Sequence, residues 1–416
     1  MLPIFLIVLV DVFGLTLVIP LLAIYAEKLG ATPLQATLLI SVFSLCMLVS
    51  GPLLGRISDR TGRKKMLLVS QAGTFVGFLL MARAEALWVL YAARVIDGLT
   101  AGNLSLAQAW IADRTAPENR TRAFALIGIA FGVGFFVGPA VTGWLSHYAL
   151  SAPIYLAAAM SLTSILCTTF LLPDDAPTGA PAADGPGGRR LPIFSWGAYA
   201  EYFRRPVMAG LLGQFFAFAL AFAIFTSGFA LFAERTYTWN GRPFSPREIG
   251  FVFAYSGFLG IILQGGLIGR LVKRFGDPAL VAAGFVGAIA AYTILGATGG
   301  VAALVVAATV SSFGNGILRP TLSSLVSQQA GRGEQGVVLG LTQSLMSVAQ
   351  IVGPLAGGLL LEHGLLGAWA LAAAVAALGG LAGVRWGSGR AARAGDVSVE
   401  GPQPPRGSHP PRTASG

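Results

Sequence analysis

Three ionisable groups stand where apolar sequence surrounds them. Asp11 lies within Leu9-Val-Asp-Val-Phe-Gly14, and Arg94 and Asp97 lie within Tyr91-Ala-Ala-Arg-Val-Ile-Asp-Gly98. A carboxylate at the centre of such a run costs about 2.5–3.5 kcal/mol on membrane-insertion scales, so it is expected to face water or a partner. Burial disfavours the charged form of any carboxyl, the property a reversible proton carrier needs near neutral pH. Asp11 is therefore the candidate proton carrier; the plainer alternative is a helix-end acid reaching for water. Arg94 and Asp97 are three residues apart, share a helix face and can pair. An arginine does not give up its proton usefully, so Arg94 is expected to tune an acid, either Asp97 or Asp11. The alternative is a buried pair that only fixes packing. Asn103, Gln214, Gln264, Asn315, Arg319 and Gln343 are further polar groups in apolar stretches, and are candidates for lining a cavity.

Other chemistries are excluded by what is missing. Cys46 and Cys167 each fall in mid-run and read as small apolar packing residues, with no disulfide or metal site implied. His147, His363 and His409 do not cluster. No G-x-x-x-x-G-K-[ST] loop is present, so the chain encodes no ATP-hydrolysing engine. No nucleophile or acid–base pair sits at a water-accessible spacing, which argues against an enzyme. Neither a cofactor nor a metal is expected.

The elements that must position these groups are long and apolar. Of the 416 residues, 55% are hydrophobic and only 11% charged, with 55 glycines, a composition of packed membrane helices. About twelve runs are long enough to cross a ~30 Å hydrocarbon core: 4–26, 34–55, 66–83, 87–111, 122–146 and 152–172, then 208–233, 248–269, 279–298, 300–325, 336–360 and 364–385. The expected fold is all-α and polytopic, with twelve transmembrane helices in two pseudo-symmetric bundles of six. Residues 1–172 make the first bundle, 173–207 a Pro- and Gly-rich connector, 208–385 the second bundle and 386–416 a disordered tail. The connector ends in Trp196 to Arg205, which reads as a short helix on the membrane face. Only Lys28, Arg83, Arg235, Arg242 and Arg247 fall on one side, and Arg94 and Arg319 fall inside spans; the other cations crowd the opposite loops and the tail. That bias places both termini in the cytoplasm and explains the net charge of +10. The cations are spread over loops with no aromatic-basic platform, so nucleic acid is not an expected partner; the lipid bilayer is.

The longest polar feature is Gly51-Pro-Leu-Leu-Gly55-Arg-Ile-Ser-Asp59-Arg60-Thr-Gly62-Arg63-Lys-Lys65. Its cations must sit in water, its glycines permit a tight turn and close approach, and Asp59 can hold a helix end or a neighbouring arginine. A basic hairpin that only fixes topology is the alternative. The chain repeats the stretch in Gly265-Gly-Leu-Ile-Gly269-Arg270-Leu-Val-Lys273-Arg274-Phe-Gly276, and Gly138-Pro139 with Gly143 returns as Gly353-Pro354 with Gly358 at nearly the same offset. Two matches of this kind imply two homologous, parallel halves. Asp113, in a loop of both signs, can reach Arg60 or Arg63, and several such pairs together would make a gate. Gly98 with Gly102, four apart, reads as a backbone-approach face. Phe215, Phe216, Phe218, Phe222 and Phe225 read mainly as lipid or core contacts, with a minority offering an adaptable apolar surface.

These residues resemble the major facilitator superfamily over nearly the whole chain outside connector and tail. Gly51 to Lys65 is similar to the family's cytoplasmic signature between helices two and three. Arg94-x-x-x-Gly98 is similar to its fourth-helix motif associated with proton coupling. Gly134-x-x-x-Gly138-Pro139-x-x-x-Gly143 is similar to the fifth-helix motif characteristic of antiporters. The resemblance runs closest to the twelve-helix drug:proton antiporters, tetracycline exporters above all, which also carry an aspartate at the place of Asp11. It implies a monomer that exports small lipophilic compounds, cationic ones among them, against protons. Asp11 would take the proton, Arg94 and Asp97 would tune it, and Gly51, Gly55, Asp59, Arg60, Gly62, Arg63 and Asp113 would form the cytoplasmic gate. The chain departs from tetracycline exporters at Gly77, Gly260 and Ala288, where they carry two acids and a histidine, so magnesium–tetracycline is not carried over as substrate. A uniporter or importer of a metabolite, and a non-transporting sensor or scaffold, stay open as alternatives.

Overall fold

The computed structural model describes residues 2–115, 120–173, 196–330 and 335–397. In chain order the helices are α1 (Leu2–Val18), α2 (Leu22–Lys28), α3 (Pro33–Thr61), α4 (Arg63–Ala82), α5 (Leu87–Thr100), α6 (Asn103–Arg114), α7 (Arg120–Leu145), α8 (Ala152–Leu171), α9 (Trp196–Arg204), α10 (Pro206–Thr236), α11 (Pro246–Ile262), α12 (Ile268–Phe275), α13 (Asp277–Ala297), α14 (Val301–Gln329), α15 (Gln335–Glu362) and α16 (Leu366–Val397). A small hairpin, β1 (Thr238–Trp239) and β2 (Arg242–Pro243), joins α10 to α11, and a π-helical turn, Leu263–Leu267, joins α11 to α12.

Ten helices are long and apolar enough to cross a membrane, and α1 with α2, bent by 43°, makes an eleventh candidate. The fold is thus all-α and polytopic. The run expected as one span over 87–111 is instead two short helices, α5 and α6, broken at Ala101 and Gly102. The break is held by a side chain from another helix: Ser70 donates to the Thr100 carbonyl and accepts from the Gly102 amide at 2.9 Å. Those bonds replace two that a continuous helix would make within itself. Gly102 is accordingly the residue that starts α6, not half of a backbone-approach face with Gly98. Gly98 does make the close approach, since a Cβ there would lie 2.7 Å from the Phe43 carbonyl oxygen of α3.

Helices α1, α3, α4, α5, α7 and α8 pack among themselves, and α10, α11, α12, α13, α14, α15 and α16 do likewise. The two groups meet along two seams, α3 against α15 and α7 against α11. The sequence repeat has a backbone counterpart: Gly62 turns from α3 into α4 at φ 100°, ψ 144°, and Gly276 turns from α12 into α13 at φ 77°, ψ 158°. Both conformations are costly to any residue with a Cβ. The second repeat matches as well. Gly138 closes on Thr16 of α1 and Gly353 on Ala223 of α10, the first helix of each group. Gly143 closes on Arg247 of α11 and Gly358 on Leu34 of α3, each across a seam. One motif thus serves inner packing and seam packing in both halves.

The aromatic stripe of α10 is core. Phe225 packs on Tyr292, Trp369 and Phe229, Phe218 stacks on Phe222, and the Trp369 ring nitrogen donates to the Ile224 carbonyl at 3.2 Å. The short helix α9 docks through Tyr202 beside Met208, Leu212 and Val326. Helix α16 continues to Val397, past 385 where the sequence reading ends the last span; residues 398–416 and the connector over 174–195 lie outside the described residues.

Candidate functional site

Asp11 sits near the middle of α1, and its carboxyl is in hydrogen-bonding reach of Ser164 on α8 and Gln71 on α4. The Gln71 amide nitrogen donates to the Ser164 hydroxyl at 2.8 Å, and Ser161 donates to the Gln71 carbonyl at 3.2 Å. Asp11 is part-buried, and an acid in such apolar surroundings needs these partners. Gln71 and Ser164 were not singled out in the sequence, where one glutamine among Leu67-Leu-Val-Ser-Gln-Ala-Gly73 and one serine in a Ser/Thr-rich helix carry no charge to flag them. The Gln71 side-chain oxygen has no hydrogen-bond partner among the described residues.

Arg94 and Asp97 pair within α5 at 3.0 Å, with side chains only 6% and 7% exposed. The guanidinium also lies 5.5 Å from the centre of the Phe43 ring, a cation–π contact. Thr74 of α4 hydrogen-bonds Asp97. Gly77, where the resemblance places an acid, is the close-approach point for that carboxylate's helix: a Cβ there would lie 3.1 Å from the Asp97 Cβ and 3.2 Å from the Ala93 carbonyl oxygen. An acid at 77 would meet Asp97 head-on, so the two positions exclude each other here. Asp11 feels Asp97 electrostatically, which brings all three ionisable groups into one polar core of the first group.

The gate residues fall at the end of α3 and start of α4. Arg63 reaches Asp59 at 2.6 Å and the Ser58 hydroxyl at 2.5 Å, tying the two helices around Gly62. Arg60 is exposed, and the Asp113 side chain lies outside the described residues. Gly51 and Gly55 have nothing within 4 Å of where a Cβ would stand, and neither do Gly265, Gly266, Gly269 and Gly340 in the second group. At this end the groups stand apart.

At the other end they are closed. Along α3 and α15, Glu362 accepts from the Thr32 hydroxyl at 2.8 Å and the Leu34 amide at 3.0 Å. Thr37 donates to the Pro354 carbonyl at 2.9 Å, Ser41 to the Ile351 carbonyl at 2.8 Å and Ser44 to the Gln350 side chain at 3.0 Å. Arg235 and Glu27 add an ion pair at 2.6 Å between α10 and α2. Along α7 and α11, Gly143 and Pro139 close on Gly250, Phe136 packs on Phe258 and Gly132 meets Ile261; by Gly128 there is nothing within 4 Å. Gly134, in the same motif, closes on Val12 of α1. Both seams therefore close from one end to mid-depth and part towards the basic-loop end.

The cavity candidates separate. Arg319, Gln264 and Gln343 are exposed. Asn315 is engaged inside its own group, donating to Ser311 at 2.9 Å and the Tyr292 hydroxyl at 3.1 Å. Gln214 is buried between α10 and α16 against Gly383, and Asn103 lies part-buried at the start of α6. No cluster of three or more potential metal ligands occurs among the described residues.

A family model described as Major Facilitator Superfamily matches residues 4–276 and 236–412. The tetracycline resistance protein, class C, of Escherichia coli is 30% identical over 356 residues, 83% of this chain and 85% of that protein. Multidrug resistance protein 2 of Bacillus subtilis (strain 168) is 24% identical over 371 residues, 86% of this chain and 89% of that protein. The crystal structure of the nucleoside transporter NupG superposes with a TM-score of 0.70 at 16% identity, covering 92% of this chain and 98% of that one, a likeness of fold.

Proposed function

The chain belongs to the Major Facilitator Superfamily, and on that premise we propose that it exports small lipophilic compounds in exchange for protons by alternating access. Relatives named for tetracycline and multidrug resistance support this reading. The observation that carries it is the pair of seams, hydrogen-bonded from one end to mid-depth and parted at the other. With both termini in the cytoplasm, as the cation bias implies, the parted end faces the cytoplasm and the molecule is inward-open. It acts as a monomer of two six-helix halves, 1–172 and 208–385, in the inner membrane, with no nucleic-acid partner.

Asp11 takes the proton, held by Gln71 and Ser164 between three helices of the first half. Arg94 and Asp97, in the same polar core, set the field around it. The first-half gate of Gly51, Gly55, Asp59, Arg60, Gly62, Arg63 and Asp113 closes on the second half in the other state, while Gly134, Gly138, Pro139 and Gly143 keep α7 tight against α1 and α11. Proton and substrate need not touch; each needs only to prefer a different state of one two-state protein.

The test uses inverted membrane vesicles holding a respiration-driven pH gradient followed by a fluorescent dye. Lipophilic compounds are added to vesicles with the native protein or with Asp11→Asn. Some compound should collapse the gradient with the native protein and leave it intact with the variant. If none does so while labelled compounds still equilibrate across the membrane, the protein is a facilitator and Asp11 is structural.

A further inference from the structure

Arg319 lies ten residues before the end of α14, about 15 Å along the helix from its terminus, and its side chain is exposed although protein surrounds it at this depth. Among the described residues it has no hydrogen bond or ion pair, and its one ring contact is with the other half, Phe131 of α7, 5.9 Å from the guanidinium carbon. A guanidinium carries five N–H donors, yet none has an acceptor among the described residues. Among the acids of the second half whose side chains are described, Glu362 holds Thr32 and Leu34, Glu248 holds Ser245, Asp277 accepts from Gln328, Glu201 pairs with Arg205, and Glu234 lies near the hairpin end of α10. In the first half Asp97 is taken by Arg94 and Asp11 by Gln71 and Ser164.

The place is where the α7–α11 seam parts. Gly132 still meets Ile261, while Gly128, one turn further, meets nothing. Leu263, opening the π-helical turn, packs on Gly316 of α14, one turn before Arg319 on the same face. The next residue, Gln264, is exposed with no hydrogen-bond partner among the described residues. Single π turns interrupting a helix concentrate at functional sites. Phe131 stacks with Phe135, one turn on along the same face of α7.

We infer that Arg319 is the anchor for an anionic group on the substrate, so that the compounds carried are lipophilic anions, with a carboxylate, sulfonate or enolate on an aromatic or aliphatic body. An unpaired intramembrane cation is costly, and a planar guanidinium meets such groups with two parallel hydrogen bonds. Phe131, stacked on Phe135, receives the apolar body, and Gln264 supplies a further donor or acceptor. This rests on the exporter reading and corrects one part of it: lipophilic cations, expected from the resemblance, would meet a fixed positive charge at the mouth of the site.

The test compares two dyes of one ring system, 8-anilinonaphthalene-1-sulfonate and the neutral N-phenyl-1-naphthylamine, binding to the purified full-length protein. Arg319→Gln should weaken the sulfonate about ten- to hundredfold, as expected for charge-assisted hydrogen bonds, and leave the neutral dye unchanged; Arg319→Lys should restore part of the loss. Because no ion pair is broken, the melting temperature of Arg319→Gln should hold or rise. Equal affinities in protein and variant, or equal loss of both dyes, overturn the assignment. So does a fall in melting temperature with unchanged binding, which would make Arg319 a clamp on Phe131. Tetraphenylphosphonium collapsing a pH gradient in native vesicles would sink the anion site while leaving the exporter standing. Sulfonate binding without any effect on the gradient would do the reverse.

Discussion

The Glu362 carboxylate of α15 lies 2.8 Å from the Thr32 hydroxyl that caps α3, although the two are 330 residues apart. The same carboxylate accepts from the Leu34 amide, so one acid satisfies the open N-terminus of a helix in the other half. This is the latch of the closed end, assisted by Arg235 and Glu27. Glu362→Ala removes two charge-assisted bonds, each worth about 1.5–3 kcal/mol at most and less where water competes. The expected result is a shift of about tenfold toward the state opened at this end. Spin labels at Trp88 and Leu365, both exposed at the closed end, should show a new, longer distance; an unchanged distribution would mean the seam hydrogen bonds below suffice alone.

The Arg94–Asp97 pair makes the second prediction. Both side chains are almost wholly buried, so removing one charge strands the other. Arg94→Gln and Asp97→Asn should each cost about 3–5 kcal/mol, whereas the double variant should lose far less than their sum. Thermal unfolding of the four proteins in detergent measures this. Additive losses would mean that the arginine is held by Phe43 rather than by its acid.

How much of this could be read from the residues follows from how far each partner lies. Asp11, Arg94 and Asp97 stand out because charge is rare in apolar runs, and the i,i+3 spacing already pairs two of them. The turn glycines Gly62 and Gly276 stand out because the chain writes them twice. Gln71, Ser164 and the Glu362 latch do not, since a neutral polar residue in a span and an acid at a helix end are ordinary until a distant helix is placed beside them. The break in the fourth span was hidden for the same reason, because the hydroxyl that makes it tolerable belongs to Ser70 on α4. Gln214 and Asn315 are polar groups in apolar runs like Gln264 and Arg319, and only packing separates those turned into their own half from those at the parted seam.

Glycines of the seam and of the open end should respond oppositely to one methyl group. At Gly250 a Cβ would stand 2.5 Å from the Pro139 carbonyl oxygen, so Gly250→Ala forces α11 from α7 and should cost the closed end about 1–3 kcal/mol. Gly128→Ala meets nothing within 4 Å and should be neutral or stabilise by up to about 1 kcal/mol through helix propensity. Dye-gradient transport and melting temperature, measured together, distinguish them: the first should lose transport, the second keep it. Loss of transport in both would mean that Gly128 meets a partner when the parted end closes, which would itself place it in the gate.

Ser70 is the last test, because it holds a break on which the position of Arg94 and Asp97 depends. Its hydroxyl serves the Thr100 carbonyl and the Gly102 amide at once, and Gly73 leaves room for the Thr100 side chain beside it. Ser70→Ala removes the side-chain partner of both groups and leaves them only the strained bond they share, Gly102 amide to Thr100 carbonyl at 2.7 Å, at a cost of about 1–3 kcal/mol. The relaxation open to them is to join α5 and α6 into one helix, which would turn α6 relative to the Arg94–Asp97 pair. Hydrogen exchange over residues 97–106 should therefore slow in Ser70→Ala as continuous helix bonds form, with proton coupling reduced. Faster exchange would mean that the break frays instead, and that Ser70 holds it shut rather than open.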